Sequence, residues 1–582
     1  MIELKKNHCL VATSDDFFWA PDNNIFLSDV FLLDKKNSLN KKKYKVINAF
    51  VDNAEAKIMR KEFIIERMPV YRDAIANSIE CISSIKINSK EKKIILDLWL
   101  FHFLTIVFDR VYCMRKILDN KGNDLFYMYI KNVDAPKSSF EFVNNCQSEK
   151  YNQYLYAEAA RVVGINIIEL SDHNKKPNEK RFFSEFFLRK YAIKILKIFI
   201  VLIKPALIIT SSVSKINILK VLLKSFGKIW IIPSRYIFET SFELKEDINS
   251  RKNLLKVDET DVYDEYANTI IIKTFPLDLF EKFSYYYNSF KGLAKIPIIA
   301  SDTQHYWNDQ YKILAARVSS MNGRVDAIQH GGNYNLYNFS VHSVEASIFD
   351  RFYYWNSSQK YSLPSLKIEK IKENNYVPKK QPLKNKILFI CCRKKNTYPS
   401  PRYMPDSSYT ADTNDQASFY NNLNVDLIKN FQIRPNPHGA IDSFFKNWVR
   451  SENISIDNSK EIFDSLIDSK IIVLDALSTT WIEVLHLNIP IILVYDYISY
   501  DLKADSIEIF QILESINILH KTSKSASEFI NINFNNIDNW WNETTTINGV
   551  NLAKEFLLND KNLVLSLLYN FSIKKGKLAN NE

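Results

Sequence analysis

Residues Asp326 to Trp355 read DAIQHGGNYNLYNFSVHSVEASIFDRFYYW and place Gln329, His330, Gly331 and Gly332 directly behind an apolar run of strand character. With only ten glycines in 582 residues, two in succession mark a requirement of the backbone. A loop without Cβ atoms lets peptide N–H groups approach a phosphate or carboxylate closely. The acid/base or nucleophile candidates around it are His330 itself, Glu345 beyond the loop, and Asp302 at the end of an earlier strand. Each also has a plainer use. Asp302 could cap the helix that follows, Glu345 could form a surface pair, and His330 could only orient an ordinary strand-to-helix turn.

Two further motifs lie downstream. Arg434-Pro-Asn-Pro-His438-Gly439 follows an apolar strand and offers a guanidinium fork, an imidazole donor and a flexible glycine, a set that could grip a phosphodiester or form a proline-stiffened turn. Asp475-Ala-Leu-Ser478-Thr479-Thr480-Trp-Ile-Glu483 sits where a strand gives way to a helix. Free N–H groups beside Ser478 would welcome an anion, although Ser/Thr with a Glu close behind also resembles a simple capping box. Arg393, Lys394 and Lys395 close another strand, and Arg402 follows in PSPRYMP. These cations could reach a cleft or remain solvated. His305, His330, His342, His438 and His486 are five of the nine histidines, yet none has the spacing of a zinc ligand pair, so no metal site is expected.

The elements that must position these groups follow from the apolar pattern. From Lys295 onward, short apolar runs alternate with helical segments, as in parallel sheets built from βα units, which gives an α/β fold. Strands are expected at 296–300, 324–329 and 351–355, with a helix over 306–321. After a Pro- and Lys-containing stretch, strands are expected at 387–392, 431–434, 470–474 and 490–495, with helices at 418–430, 461–469, 478–487, 505–515 and 552–569. The chain divides on this reading into an N-terminal domain with helical insertions (1–355), a linker (356–385) and a C-terminal domain (386–582). Between Ser184 and Lys204, lysines at 190, 194, 197 and 204 share one helical face opposite Phe187, Ile195, Phe199 and Leu202. Such a helix suits a membrane surface, or the interior with its lysines solvated.

Composition narrows the classes. A chain of 68.1 kDa, 46% hydrophobic and 25% charged, is a multidomain globular protein and not a disordered one. Its net charge of +11 suits anionic small molecules or an anionic membrane face. No nucleic-acid module is recognisable, so a non-catalytic basic binding protein is the weaker alternative. Six cysteines without CxxC pairing argue against a disulfide framework, and no signal peptide or run of 18 apolar residues is evident, so a cytoplasmic protein is expected.

Together QHGGNYNLYNF, RPNPHG and LDALSTTWIEVLHLNIPIILV, with the opening LVATSDDFFW, resemble a family of bacterial O-antigen and surface-carbohydrate transferases. The resemblance implies a GT-B-like fold, two Rossmann-type domains facing across a cleft, with additional N-terminal helices. It implies a glycosyltransferase that takes a nucleotide sugar and a glycan or lipid-linked glycan acceptor, needs no metal, and could touch the inner membrane face. More remotely, the His and Ser/Thr loops are similar to those with which Kdo- and sialyltransferase-like enzymes hold CMP-activated acidic sugars, although here a proline precedes the histidine. By that similarity His438, Ser478, Thr479 and Thr480 would hold the donor phosphate, and by analogy with other GT-B enzymes Glu483 would take its ribose; Arg393, Arg434, Gly439, Gly331 and Gly332 are expected to join the donor grip from their residue types and positions. A CDP-polyol phosphotransferase and a GT-B-like nucleotide-sugar epimerase are the alternative enzymes.

Overall fold

Runs such as ALII at 206–209, ILFI at 387–390 and IIVL at 471–474 are apolar at every position, which fits strands covered on both faces. In the computed structural model these are inner strands of parallel sheets and are fully buried. The structure describes residues 8–13, 15–21, 23–27, 44–47, 54–121, 126–170, 186–238, 246–252, 254, 257–366, 368–369, 385–391, 411–435, 448–558 and 561–572.

Three sheets form among them, and their strands pair in parallel. The first contains β1 (His8–Val11), β2 (Asn24–Phe26), β3 (Tyr44–Val46), β4 (Phe126–Ile130) and β5 (Asn166–Glu169) in the order β3-β2-β1-β4-β5. The second contains β6 (Ala206–Ile209), β7 (Ile229–Ile232), β8 (Ile298–Ser301), β9 (Arg324–Ile328) and β10 (Arg351–Tyr353) in the order β10-β9-β8-β6-β7. The third contains β11 (Ile387–Ile390), β12 (Phe431–Arg434), β13 (Ser455–Ile456), β14 (Ile471–Leu474), β15 (Ile491–Val494) and β16 (Leu519–His520) in the order β13-β12-β11-β14-β15-β16. The second and third sheets are doubly wound, as expected of two Rossmann-type domains. In each, the chain reverses its direction of travel, between β6 and β8 and between β11 and β14, and the carboxyl ends of strands at such a reversal are where open α/β sheets take ligands.

The N-terminal addition is more than helical. It carries the first sheet, with Rossmann strand order, ahead of and around α1 (Ala54–Ser83) and α2 (Ser89–Lys121). Helix α2 is apolar nearly all round, with Trp99, Phe101, Phe103 and Leu104 buried, so it must be enclosed. Asn88 and Glu91 start it with a reciprocal cap. Its buried Asp97 and Asp109 are matched by Arg72 and Arg60 of α1. Helices α3 (Phe186–Ile203) and α4 (Lys215–Lys224) feed β6 and β7, and α5 (Asp309–Ser320) and α6 (Val341–Ile348) follow β8 and β9. In the third sheet α7 (Thr479–His486) follows β14, and α8 (Leu563–Phe571) returns to pack Leu563, Leu567 and Phe571 into the core of the second.

The expected strands from 296 onward all occur, shifted by a residue or two at their ends. The single helix expected over 552–569 is two, because Leu558 turns extended and the Asn562 side chain accepts from Leu565 N to start α8 afresh. Among the described residues no helix is long and apolar enough to cross a membrane.

Candidate functional site

Strand β9 delivers the chain to Gln329, whose carboxamide fixes the loop. Its Nε2 donates to Gly331 O at 2.8 Å and its Oε1 accepts from Trp355 N at 2.9 Å. The loop then bends into α6, where Ser340 and Ser343 form a reciprocal cap and carry Glu345 inward. Glu345 is 0% exposed, which rules out a surface pair. Its Oε1 accepts from His305 Nε2 at 2.5 Å, its Oε2 from Tyr334 OH at 2.7 Å, and His342 Nδ1 lies 3.4 Å from Oε2. Burial alone would raise this carboxyl, but His305, His342 and His330 hold it well below the usual carboxylate range.

The ionised Glu345 sets the tautomer of His330. Tyr334 has one hydroxyl proton and directs it to the carboxylate, so its oxygen must accept from His330 Nδ1–H at 2.7 Å. Nε2 of His330 is thereby left with its lone pair. Burial pushes this imidazole down to about 4 against the pull of Glu345, so it is neutral and able to take a proton at physiological pH.

Asp302 lies across the reversal point of the same sheet, at the end of β8. Its Oδ2 accepts from Thr210 Oγ1 at 2.6 Å and Ser212 Oγ at 2.7 Å, both just beyond β6, and Oδ1 from Thr303 Oγ1 at 3.2 Å. Ser301, not Asp302, holds the following turn, accepting from Gln304 N at 2.7 Å. Asp302 thus staples β6 to β8 beneath the histidine cluster.

The third sheet meets this loop directly. Ser478 caps α7, its Oγ accepting from Thr480 N at 3.2 Å. A Cβ on Gly332 would fall 2.6 Å from Ser478 O and 3.1 Å from Ile482 Cδ1, and one on Gly331 would lie 3.7 Å from Thr479 Oγ1. Gly332 is therefore needed for close approach between lobes and not for its backbone conformation, since neither glycine has a positive φ, whereas a Cβ on Gly331 would make only ordinary contact. The rest of the loop locks the contact. Asn338 N donates to Asp501 O at 2.9 Å, Lys503 N to Leu336 O at 3.0 Å, and the hydroxyls of Tyr337 and Tyr495 pair at 3.0 Å.

Of the other expected donor ligands, Glu483 is buried one turn into α7, and Thr479 and Thr480 are half-buried at its start. Arg434 ends β12, but its Nη1 is engaged by Asp457 at 3.2 Å and Ser465 at 2.9 Å, so part of its fork serves the sheet edge. Arg393, His438 and Gly439 lie outside the described residues. The sequence reading passed over Tyr334, His305 and His342 as working groups. The i, i+3 pairing of His342 with Glu345 on a short amphipathic helix was the available signal. Nothing in the sequence marked Thr210 or Ser212.

Residues 8–570 match the family described as LIC12162 family transferase. The chain belongs to that family. It is thus a transferase family member whose match spans all three sheets. A solved structure of MurG from Acinetobacter baumannii aligns at 9% identity with a TM-score of 0.32, covering 63% of this chain and 98% of that one. A comparison with curated proteins finds no match.

Proposed function

We propose that the protein is a glycosyltransferase that moves a sugar from a nucleotide-activated donor, CMP-linked nonulosonic acid or Kdo, to a surface-polysaccharide or O-antigen precursor. The observation that carries this reading is the seating of Gly332 on Ser478, which sets a neutral histidine from one lobe beside a helix N-terminus from the other. His330 Nε2 takes the proton of an acceptor hydroxyl as that oxygen bonds to the anomeric carbon. The bond from that carbon to the phosphate oxygen breaks, and its electron pair leaves with the nucleotide. The imidazolium is steadied through Tyr334 by Glu345. Backbone N–H groups at the start of α7, with Thr479 and Thr480, meet the charge growing on the departing phosphate, a contribution that needs no metal ion. His438 joins the donor grip on the strength of the sequence resemblance, Arg393 as a cation placed close behind the ILFI run in the sequence, and Glu483 takes the ribose.

The test is a thermal-shift screen of the whole protein against CMP, CDP, UDP, GDP and dTDP, followed by kinetics of Ser478→Ala and His330→Gln. A cytidine nucleotide raises the midpoint most, Ser478→Ala diminishes that shift, and His330→Gln keeps the shift but loses turnover. No stabilisation by any nucleotide, or unchanged kinetics in both variants, overturns the proposal.

A further inference from the structure

The apolar face of α3 points outward. Ile195, Ile198, Phe199 and Leu202 form one helical stripe and all are exposed, Leu202 to 71%. The other side holds the helix to the protein, where Ile200 is fully buried and Lys197 lies over the Phe290 ring. Lys194 and Lys204 share the solvent side with these apolar side chains. Helix α4 repeats the arrangement, with Ile216, Leu219 and Leu223 exposed while Val221 is buried.

Both helices run to the amino edge of the second sheet, α3 on the face where Ile200 packs in one core with Leu207, and α4 on the other face, where Val221 packs in a second core with Ile208. Helix α3 stops at Ile203 just before β6, α4 stops at Lys224 just before β7, and Ala206 N donates to Lys228 O at 2.8 Å between the paired strands. Leu202 and Ile203 on one face and Leu223 and Phe226 on the other thus flank the amino edge of the second sheet. Phe226 is 90% exposed and has a φ of 51°, a left-handed conformation where glycine or asparagine is the usual occupant. A large aromatic with almost nothing to pack on is kept in a position that folding alone would give to a small residue.

Charge selects the partner. Residues 186–238 contain ten Lys or Arg and no Asp or Glu, so this stretch carries +10 (ten minus zero) of a chain total of +11. Lys204, Lys220, Lys224 and Lys228 have no ion-pair partner among the described residues. We propose that this edge docks on an anionic lipid bilayer, with Phe226, Leu223 and Leu202 seated among the headgroups and the lysines extended to lipid phosphates. A second copy of the same face would set like charges against each other, whereas a lipid surface accepts both the apolar tips and the cations at once. The docking edge lies at the opposite end of the strands from Asp302 and the His330 loop, so it leaves the site uncovered.

The full-length protein is floated with vesicles of phosphatidylcholine alone and of phosphatidylcholine mixed with phosphatidylglycerol. It binds the anionic vesicles, and added salt releases it. Phe226→Asn lowers partitioning by about tenfold while leaving the thermal midpoint equal or higher, since asparagine suits the left-handed position. Lys224→Glu lowers it by about fivefold or more. Turnover of a soluble substrate is unchanged in both. Equal or absent binding to the two vesicle types overturns the proposal. So does wild-type binding by Phe226→Asn and Leu202→Ser together, or a concentration-dependent dimer that Phe226→Asn dissolves.

Discussion

Replacing Gly332 by alanine tests the meeting of the two lobes with a single methyl group. That methyl would fall 2.6 Å from Ser478 O, so the carbonyl must retreat by about 0.8 Å to reach an ordinary 3.4 Å contact. The atom concerned is backbone at the cap of α7 and cannot swing aside as a side chain would. The lobes cannot simply part, because Asn338, Leu336 and Tyr337 bind the 495–503 segment a few residues on. Overpacking of this kind costs about 1–3 kcal/mol. A displacement near 1 Å at a site that positions reactants costs about a hundredfold in rate. Gly331→Ala is the matched control, since its methyl would lie 3.7 Å from Thr479 Oγ1 and 3.9 Å from Tyr334 Cε2. Chemical unfolding and steady-state kinetics of both variants give the answer. Gly332→Ala loses stability and turnover, and Gly331→Ala stays within about 0.5 kcal/mol of the parent. Equal behaviour of the two alanines, or a harmless Gly332→Ala, would refute the interlobe geometry and the site built on it.

Four further expectations concern the histidine cluster and the sheet edge. Tyr334→Phe removes the hydroxyl that fixes the His330 tautomer, so kcat falls by about 10- to 100-fold and the acid limb of the pH profile moves, while donor KM changes little. In the parent protein the acid limb of kcat/KM lies near 4 and not near 6.5, because burial lowers the His330 imidazole to about 4. Between those values the unfolded chain holds a proton that the native site refuses, so stability declines as pH falls from about 6.5 toward 4, by at most about 3 kcal/mol from this group. Urea unfolding across that range, compared with His330→Gln, measures it, and an unchanged slope in the variant contradicts the assignment. Arg434→Met leaves Asp457 without its 3.2 Å partner and lowers stability by about 1–3 kcal/mol, with a smaller effect on donor KM than Ser478→Ala. A large donor effect with intact stability would return Arg434 to the donor grip.

The amino-acid sequence by itself determined the strands from 296 onward that carry unbroken apolar runs, because runs such as ILFI and IIVL are stable only when covered on both faces. It also determined where chemistry could sit, since polar residues and a glycine pair directly behind such runs must emerge at the carboxyl edge of a parallel sheet. His330, Asp302, Glu345 and the Ser478 helix start were legible on that ground. Only the tertiary structure decided how they associate. Glu345 draws His305 from forty residues upstream and Tyr334 from within the loop, and Asp302 turns to Thr210 and Ser212, because β8 lies between β6 and β9, an order that local periodicity does not encode. The first sheet escaped the sequence reading because strands such as NIF, YKV and NIIE carry polar residues in place of an unbroken apolar run and lie widely separated along the chain. Periodicity likewise reports that a helix such as α3 has an apolar stripe, but burial of the opposite side against Phe290 is what turned that stripe toward solvent.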